Sequence, residues 1–243
     1  MSVRQCVAIT LLWLAAIAPA SARMLYFRID PVHTQVIFSV DHDGYSHPVG
    51  RMKIKAGWIA FDEDDWSSAK VVADVDTTSV DIGDSDWNDA VTGKRFLDAK
   101  DYPLAHFEST SVERAPGLPL HPEGDCPPVA TAKIGACTMN AGPRVQRGMM
   151  RGNLTIRGVT LPVRFLFNVN RIGATIFSGL QTIAGFSAPM IVLDRRAFGV
   201  NAFPKSVGTR VEVRLEVEAI LDQDAQKEYE AAMRQSANHA AQH

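Results

Sequence analysis

Regular alternation of apolar and polar residues along most of the chain is the feature that most limits its fold. The pattern is clearest over residues 209–221, where Val211, Val213, Leu215 and Val217 alternate with arginine and glutamate. A period of two residues predicts a β-strand with one dry face and one wet face. Similar segments occur at 35–42, 52–61, 69–76, 105–112 and 181–193, and two more form a hairpin within 151–169. The sequence therefore predicts eight strands and little helix.

Eight two-faced strands joined mainly by turns must hide their apolar faces together. A sandwich of two sheets achieves this, and so does a barrel closed on itself. An eight-stranded barrel has an interior just wide enough for side chains or for one slender ligand. The periodicity alone leaves the choice between sandwich and barrel open.

Large apolar side chains dominate the predicted inner face of these strands. They are Phe38, Trp58, Phe107, Leu154, Ile156, Phe165, Phe167, Phe186, Val211 and Leu215. Because large apolar residues usually lie inside proteins, a packed core explains each of them. The composition does not distinguish a filled core from the wall of a hollow one.

Three segments lack the alternation. Residues 84–100 start with acidic residues of the kind that cap helices, and they predict one or two short helices. Residues 114–148 are rich in Pro and Gly and contain Cys126 and Cys137, which we interpret as a surface insertion closed by a disulfide. Residues 222–243 are polar and rich in alanine, and they predict a short helix followed by a frayed C-terminal tail.

The N-terminus has the pattern of an export signal. Arg4, the apolar run 7–18 and the small residues at 20–22 predict a secretory signal peptide over residues 1–22. Its apolar run is too short for a transmembrane helix. Removal of the signal takes away one positive charge and changes the formal net charge from −2 to −3. A nucleic-acid partner would require a basic excess, and none is present.

The sequence contains no recognisable catalytic motif. It has no nucleophile elbow, zinc-protease, phosphate-loop or dinucleotide-binding pattern. His42 and His47 lie five residues apart without a third ligand nearby, so a turn with two solvated histidines explains them better than a metal site. His239 and His243 in the tail and the acidic run 62–65 also lack the pattern of a metal site. The sequence therefore predicts no catalytic residues, no metal and no cofactor, and we expect that the protein is not an enzyme.

Five stretches, in order, resemble the YceI-like family. They are IDPVHTQVIFSVDH (29–42), TTSVDIGD (77–84), RFLDAKDYPLAHFESTSV (95–112), GNLTIRGVTLPV (152–163) and AGFSAPMIVLDRRAFGV (184–200). Members are secreted, usually periplasmic proteins with a lipocalin-like eight-stranded antiparallel barrel, described as binding polyisoprenoid lipids, isoprenoid quinones or related long-chain amphiphiles. The resemblance therefore implies an all-β, hollow barrel domain over 23–221, a periplasmic location and a long-chain lipid as partner.

The resemblance also implies which residues form the site. The expected cavity wall consists of Phe38, Val40, Trp58, Phe96, Tyr102, Phe107, Leu154, Ile156, Phe165, Phe167, Phe186 and Phe198. Four basic residues are candidate contacts for a lipid headgroup, namely Lys94, Arg95, Arg195 and Arg196. Residues 158–162 are expected to form the hairpin turn at one rim. Segment 91–98 departs from the family pattern at Thr92 and Arg95, which leaves the headgroup preference open.

A second hypothesis is a filled barrel that acts as an interaction module. Some members of the family are associated with b-type cytochromes, so the partner would be a membrane redox protein of that kind. The sequence leaves the identity of the ligand and the oligomeric state open, a homodimer being one option.

Overall fold

The computed structural model describes residues 24–115, 146–174 and 176–240. The strands are β1 (Leu25–Ile29), β2 (Gln35–His42), β3 (Val49–Phe61), β4 (Lys70–Asp81), β5 (Leu104–Arg114), β6 (Gln146–Ile156), β7 (Val159–Ala174), β8 (Thr182–Asp194) and β9 (Val207–Leu221). The helices are α1 (Ser85–Thr92) and α2 (Ala225–Ala240). The predicted signal peptide and the predicted Cys126–Cys137 disulfide lie outside the described residues. Among the described residues, no helix is long and apolar enough to cross a lipid bilayer.

The strands close into one antiparallel barrel. Around the ring the order is β3, β2, β9, β8, β7, β6, β5 and β4, and β4 pairs with β3 again. Strands β1 and β2 together occupy one position in the ring, between β3 and β9. Strand β1 pairs with the C-terminal ends of β3 and β9, and β2 pairs with earlier residues of both strands. The prediction of an eight-stranded barrel is confirmed. Strand β1 is an addition that the sequence pattern did not predict, since its five residues are too few to show alternation.

The alternation correctly predicted the inner face of most strands, but it failed in the second half of β3. The register of β3 against β4 shifts between Ile54 and Ala56. A bulge inserts one residue into a strand, and a shift of one residue turns every following side chain to the other face. Ile59 therefore packs in the interior and Trp58 lies on the outer face beneath α2. The prediction that Trp58 belongs to the inner wall was wrong for this reason.

The barrel has two ends, which we call the rim and the base. The rim carries the connections 43–48, 82–103, 157–158 and 195–206, and the base carries the turn 62–69. At the base four aromatic rings pack on one another, with ring centroids 5.3 Å apart for Phe61 and Trp66, 5.6 Å for Trp66 and Phe167, and 5.7 Å for Phe61 and Phe186. The guanidinium of Arg114 lies over Trp66, 5.1 Å from its ring centroid. This aromatic cluster fills the base.

Both predicted helical segments contain a helix. Asp84 begins α1 by accepting a hydrogen bond from the Trp87 backbone N–H at 3.0 Å, and the remainder of 84–100 forms hydrogen-bonded turns. Helix α2 packs on the outside of the barrel, where Ala225 and Tyr229 contact the cluster around Trp58. It is longer than the short helix predicted for this segment.

The hairpin turn differs from the one expected. Arg157 and Gly158 form the whole turn, with φ angles of 51° and 74°. Two successive positive φ values are typical of the two-residue turn whose twist matches that of the flanking strands. Pro162 lies inside β7, opposite Asn153, so the prediction of a turn over 158–162 was wrong.

Candidate ligand-binding cavity

A cavity of about 560 Å³ lies inside the barrel and is lined almost entirely by apolar side chains. This volume falls in the range of about 300–1,000 Å³ that is typical of small-molecule sites. Its wall includes Trp87 and Phe203, which are 41% and 51% exposed, so the cavity reaches the protein surface at the rim. At the base it ends against Phe61 and Phe167.

The exposure of the inward-facing side chains shows that the barrel is hollow. Val71, Phe107, Phe165 and Leu215 all line the cavity, and each is only partly buried although it points away from the outer surface. A filled core at normal packing density would bury such side chains fully. The described part of the barrel is therefore hollow and not filled.

Glycines in the wall help to keep the interior open. A Cβ at Gly50 would lie 2.3 Å from the ring of Phe38, and a Cβ at Gly152 would lie 2.5 Å from the ring of Phe107. Each aromatic ring thus occupies the space that a side chain on the glycine of the neighbouring strand would take, as in the aromatic rescue of glycines in β-sheets. A side chain at either glycine would displace the ring from this place.

Ten of the twelve predicted wall residues line the cavity. They are Phe38, Val40, Phe96, Phe107, Leu154, Ile156, Phe165, Phe167, Phe186 and Phe198. Trp58 lies outside it for the reason given above. Tyr102 was also wrongly predicted, since it is 39% exposed and its ring packs against Gly158 in the hairpin turn. Contact of any of these residues with a ligand stays a prediction.

The prediction omitted several residues that line the cavity. Val71, Ala73 and Val75 on β4 lie on one face by simple alternation, so the sequence contained the signal that would have identified them. Trp87 and Phe203 lie in the rim connections, where no periodicity indicates which way a side chain points.

Of the four basic residues predicted as headgroup contacts, only Arg195 lines the cavity. Its guanidinium donates hydrogen bonds to the backbone carbonyls of Val200, Val207 and Gly208, at 2.6, 2.7 and 2.7 Å. Arg195 is only 6% exposed, and no carboxylate among the described residues forms an ion pair with it. Burial, assisted by the neighbouring Arg196 charge, lowers its pKa from the ordinary value, although an arginine stays protonated.

The other three basic residues lie on the rim surface. Arg196 is exposed and forms an ion pair with Asp194 at 3.0 Å. Arg95 is exposed, and its guanidinium lies 5.7 Å from the ring centroid of Phe203. Lys94 is exposed as well. Their role as headgroup contacts stays a prediction.

Groups that could support metal chemistry are not assembled in the part of the chain that the structure describes. No three His, Cys, Asp or Glu residues converge there as a metal site would require. His42 instead packs its ring on Trp87, with centroids 5.2 Å apart, where β2 meets α1.

Comparison with known proteins points to one family over most of the chain. A family model described as YceI-like domain matches residues 27–219. A protein of Shewanella oneidensis described as a UPF0312 protein is 27% identical over 205 residues, which cover 84% of this chain and 91% of that protein. A UPF0312 protein of Vibrio parahaemolyticus is 35% identical over 101 residues, covering 41% of this chain and 53% of that protein.

Two solved structures share the fold. BcnA of Burkholderia cenocepacia matches with a TM-score of 0.58 and 22% identity, covering 79% of this chain and 99% of that chain. A polyisoprenoid binding domain from Saccharophagus degradans matches with a TM-score of 0.53 and 10% identity, covering 82% of this chain and 100% of that chain. At these identities the likeness concerns the fold alone.

Proposed function

The chain belongs to the YceI-like domain family, and on that premise we propose that it is a periplasmic protein that carries a polyisoprenoid, an isoprenoid quinone or another long-chain lipid inside its barrel. The single observation that carries the proposal is the hollow, apolar cavity of about 560 Å³. The domain from Saccharophagus degradans, which has the same fold, is described as binding polyisoprenoids, and this supports the same ligand class here.

The apolar lining supplies enough free energy for such a ligand. Each buried methylene contributes about 0.8 kcal/mol, so about twenty of them contribute roughly 16 kcal/mol before the costs of binding. If lost freedom of motion offsets about 8 kcal/mol of this, the net free energy of about −8 kcal/mol corresponds to a dissociation constant of about 1 μM. Few polar contacts are therefore required, which agrees with the scarcity of polar groups in the wall.

Arg195 provides the polar contribution to the proposed site. Its charge is buried at the cavity without an ion-pair partner among the described residues, and a buried charge gains from any polar or anionic group brought beside it. We therefore place the headgroup of the lipid towards the rim, beside Arg195, and its hydrocarbon chain towards the aromatic cluster at the base. The pattern of residues 1–22 supports export to the periplasm, and the sequence, which has no recognisable catalytic motif, supports a binding protein over an enzyme.

The alternative of a filled interaction module is less well supported. A filled barrel would have no cavity and would bury Phe165 and Leu215 fully, whereas both line an open interior. Docking of a membrane cytochrome remains compatible with a hollow barrel, but no feature of the described surface favours it.

Filling the cavity with one side chain tests the proposal. Ala73 lines the cavity on β4, and Ala73→Phe would place a ring in the space that the lipid chain would occupy. Titration with an isoprenoid quinone, measured by quenching of tryptophan fluorescence, should show saturable binding of one quinone per chain in the unmodified protein and none in Ala73→Phe.

A substitution on the outer face supplies the control. Asn153 is exposed on β6, so Asn153→Phe adds the same ring outside the barrel and should leave quinone binding unchanged. Absence of binding to the unmodified protein, or equal binding by the Ala73 and Asn153 variants, would contradict the proposal.

A further inference from the structure

The barrel wall contains an unpaired seam between β7 and β8. These strands are neighbours in the ring, but their pairing runs only from Asn168 to Ala174, in the half nearer the base. Towards the rim, β7 pairs with β6 as far as Val159 and β8 pairs with β9 as far as Asp194. Within these described strands, residues 159–167 of β7 therefore have no ladder partner among residues 188–194 of β8.

Two prolines lie along the seam and disfavour pairing there. Hydrogen-bonded and non-hydrogen-bonded pairs alternate along an antiparallel ladder, and the pair that closes a two-residue hairpin, Ile156 and Val159, is hydrogen-bonded. Counted from there, the pair of Asn153 and Pro162 is not hydrogen-bonded, so the backbone nitrogen of Pro162 faces β8. A proline has no N–H to donate there. On β8, Pro189 lies in the bulge between Ala188 and Ile191.

The cavity lies directly behind the seam. Val163 and Phe165 on β7 and Ile191 and Leu193 on β8 all line it, so both edges of the seam are apolar on the inside. On the outer face of β8, Val192 is 49% exposed, which continues the apolar surface to the solvent.

Polar contacts mark the two ends of the seam. Towards the base, the side-chain amide of Asn168 donates to the hydroxyl of Ser187 at 3.2 Å. At the rim, Nη1 of Arg157 donates to the carbonyl oxygen of Gly199 at 2.9 Å, which ties the hairpin turn to the connection between β8 and β9. The seam is thus a bounded strip of wall that can part without the loss of ladder hydrogen bonds.

We propose that the seam is a lateral gate through which the hydrocarbon chain of the ligand enters and leaves the cavity. This inference rests on the proposed lipid-binding function. End-on passage would require a long chain to thread through the rim connections over its whole length. Passage through the seam requires only that the unpaired segments of β7 and β8 separate. The hydrocarbon chain then moves between the apolar outer surface of the seam and the apolar cavity behind it.

Two valines at different places on the barrel test the route. Val192→Lys puts a charge on the outer edge of the seam, and Val49→Lys puts the same charge at the start of β3 on the rim, where the valine is 58% exposed. With an uncharged isoprenoid quinone offered from phosphatidylcholine vesicles, Val192→Lys should slow uptake and release by about tenfold, because the chain must pass an ionised group. Val49→Lys should leave both rates unchanged. The equilibrium affinity should be unchanged in both.

Cross-linking supplies a second and independent test. In a chain whose own cysteines are replaced by serine, Arg164→Cys and Val192→Cys are joined by a bismaleimide, which ties β7 to β8 across the seam. The control joins Val192→Cys to Glu212→Cys, a directly paired position on β9 that is already held by the ladder. The seam cross-link should slow quinone exchange and the control should not.

Loosening the rim end of the seam should have the opposite effect. Arg157→Asn keeps a residue that tolerates positive φ but is too short to reach Gly199, so exchange should become faster. If Val49→Lys slows exchange and Val192→Lys does not, the ligand passes through the rim and the gate is refuted while lipid binding stands. If the unmodified protein binds no quinone at equilibrium, the proposed function itself fails.

Discussion

Phe165 and Phe167 lie two residues apart on β7 and face the same interior, but they differ in what they touch. Phe167 is 4% exposed and stacks on Trp66 in the aromatic cluster at the base. Phe165 is only partly buried, has Phe107 as its aromatic neighbour at 5.7 Å and otherwise faces the cavity. Replacing each in turn by alanine therefore separates packing from ligand contact within one strand.

The two variants should divide the effects between stability and binding. Truncation of a fully packed phenylalanine costs about 3–5 kcal/mol, and we expect this loss for Phe167→Ala. Phe165 already borders empty space, so Phe165→Ala should cost about half as much. If a bound lipid covers the free half of the Phe165 ring, its loss removes roughly 1 kcal/mol of binding free energy and weakens affinity by about fivefold.

Urea unfolding measures the first quantity, and titration with an isoprenoid quinone measures the second. Phe167→Ala should unfold at a clearly lower urea concentration and retain most of its affinity for the quinone. Phe165→Ala should lose less stability and more of its affinity. Equal losses of stability in the two variants, together with unchanged binding by Phe165→Ala, would refute the account of Phe165 as cavity wall.

Three further predictions concern parts of the structure outside this pair. Nδ1 of His106 lies 2.7 Å from a carboxylate oxygen of Asp74, and this hydrogen bond raises the pKa of His106 above its ordinary value. Because the folded protein holds that proton more tightly than the unfolded chain, the stabilisation is complete below the unfolded pKa of about 6.5 and is lost as pH rises through the folded value. In His106→Gln, the unfolding free energy should therefore change less with pH between these two pKa values. An unchanged slope in the variant would contradict this prediction. Gly148→Ala would place a Cβ 2.4 Å from a buried ring and should cost about 1–3 kcal/mol in urea unfolding, whereas Gly173→Ala, whose Cβ would meet nothing closer than 3.8 Å, should cost much less. Arg195→Met should weaken binding of a long-chain fatty acid, measured by calorimetry, more than binding of a plain isoprenoid hydrocarbon, and equal weakening of both would remove Arg195 from headgroup recognition.

The strands and the inner face were largely predictable because alternation records which side of a strand is dry. Val211 and Leu215 point inward as their period requires. Trp58 does not, because the bulge after Ile54 shifts the phase by one residue. Residues 56–61 that follow contain no polar side chain, so the sequence does not reveal the shift. The same limit applies to the hairpin, where Pro162 was interpreted as part of a turn. It instead lies in β7 with its backbone nitrogen on the side that faces β8. That side has no ladder partner on β8, so proline is tolerated there.

The hollow interior was not predictable from periodicity, because a filled barrel and an empty one require the same pattern. The difference depends on whether facing side chains meet across the barrel, which is decided by cross-strand arrangements such as Phe38 over Gly50. Arg195 shows a related limit. The sequence predicted it as a candidate headgroup contact, but it did not indicate the three backbone carbonyls that accept its hydrogen bonds inside the wall.

The central claim is that the barrel carries a long-chain lipid, and the most direct test is to identify what the protein holds when it is isolated from the cells that produce it. The protein should be purified without detergent, its mass measured under native conditions, and its organic extract analysed by lipid mass spectrometry, with Ala73→Phe treated in the same way. We predict one isoprenoid or other long-chain lipid per chain in the unmodified protein and none in the variant. A barrel that is empty on isolation, and that takes up no isoprenoid when one is offered, would contradict the claim.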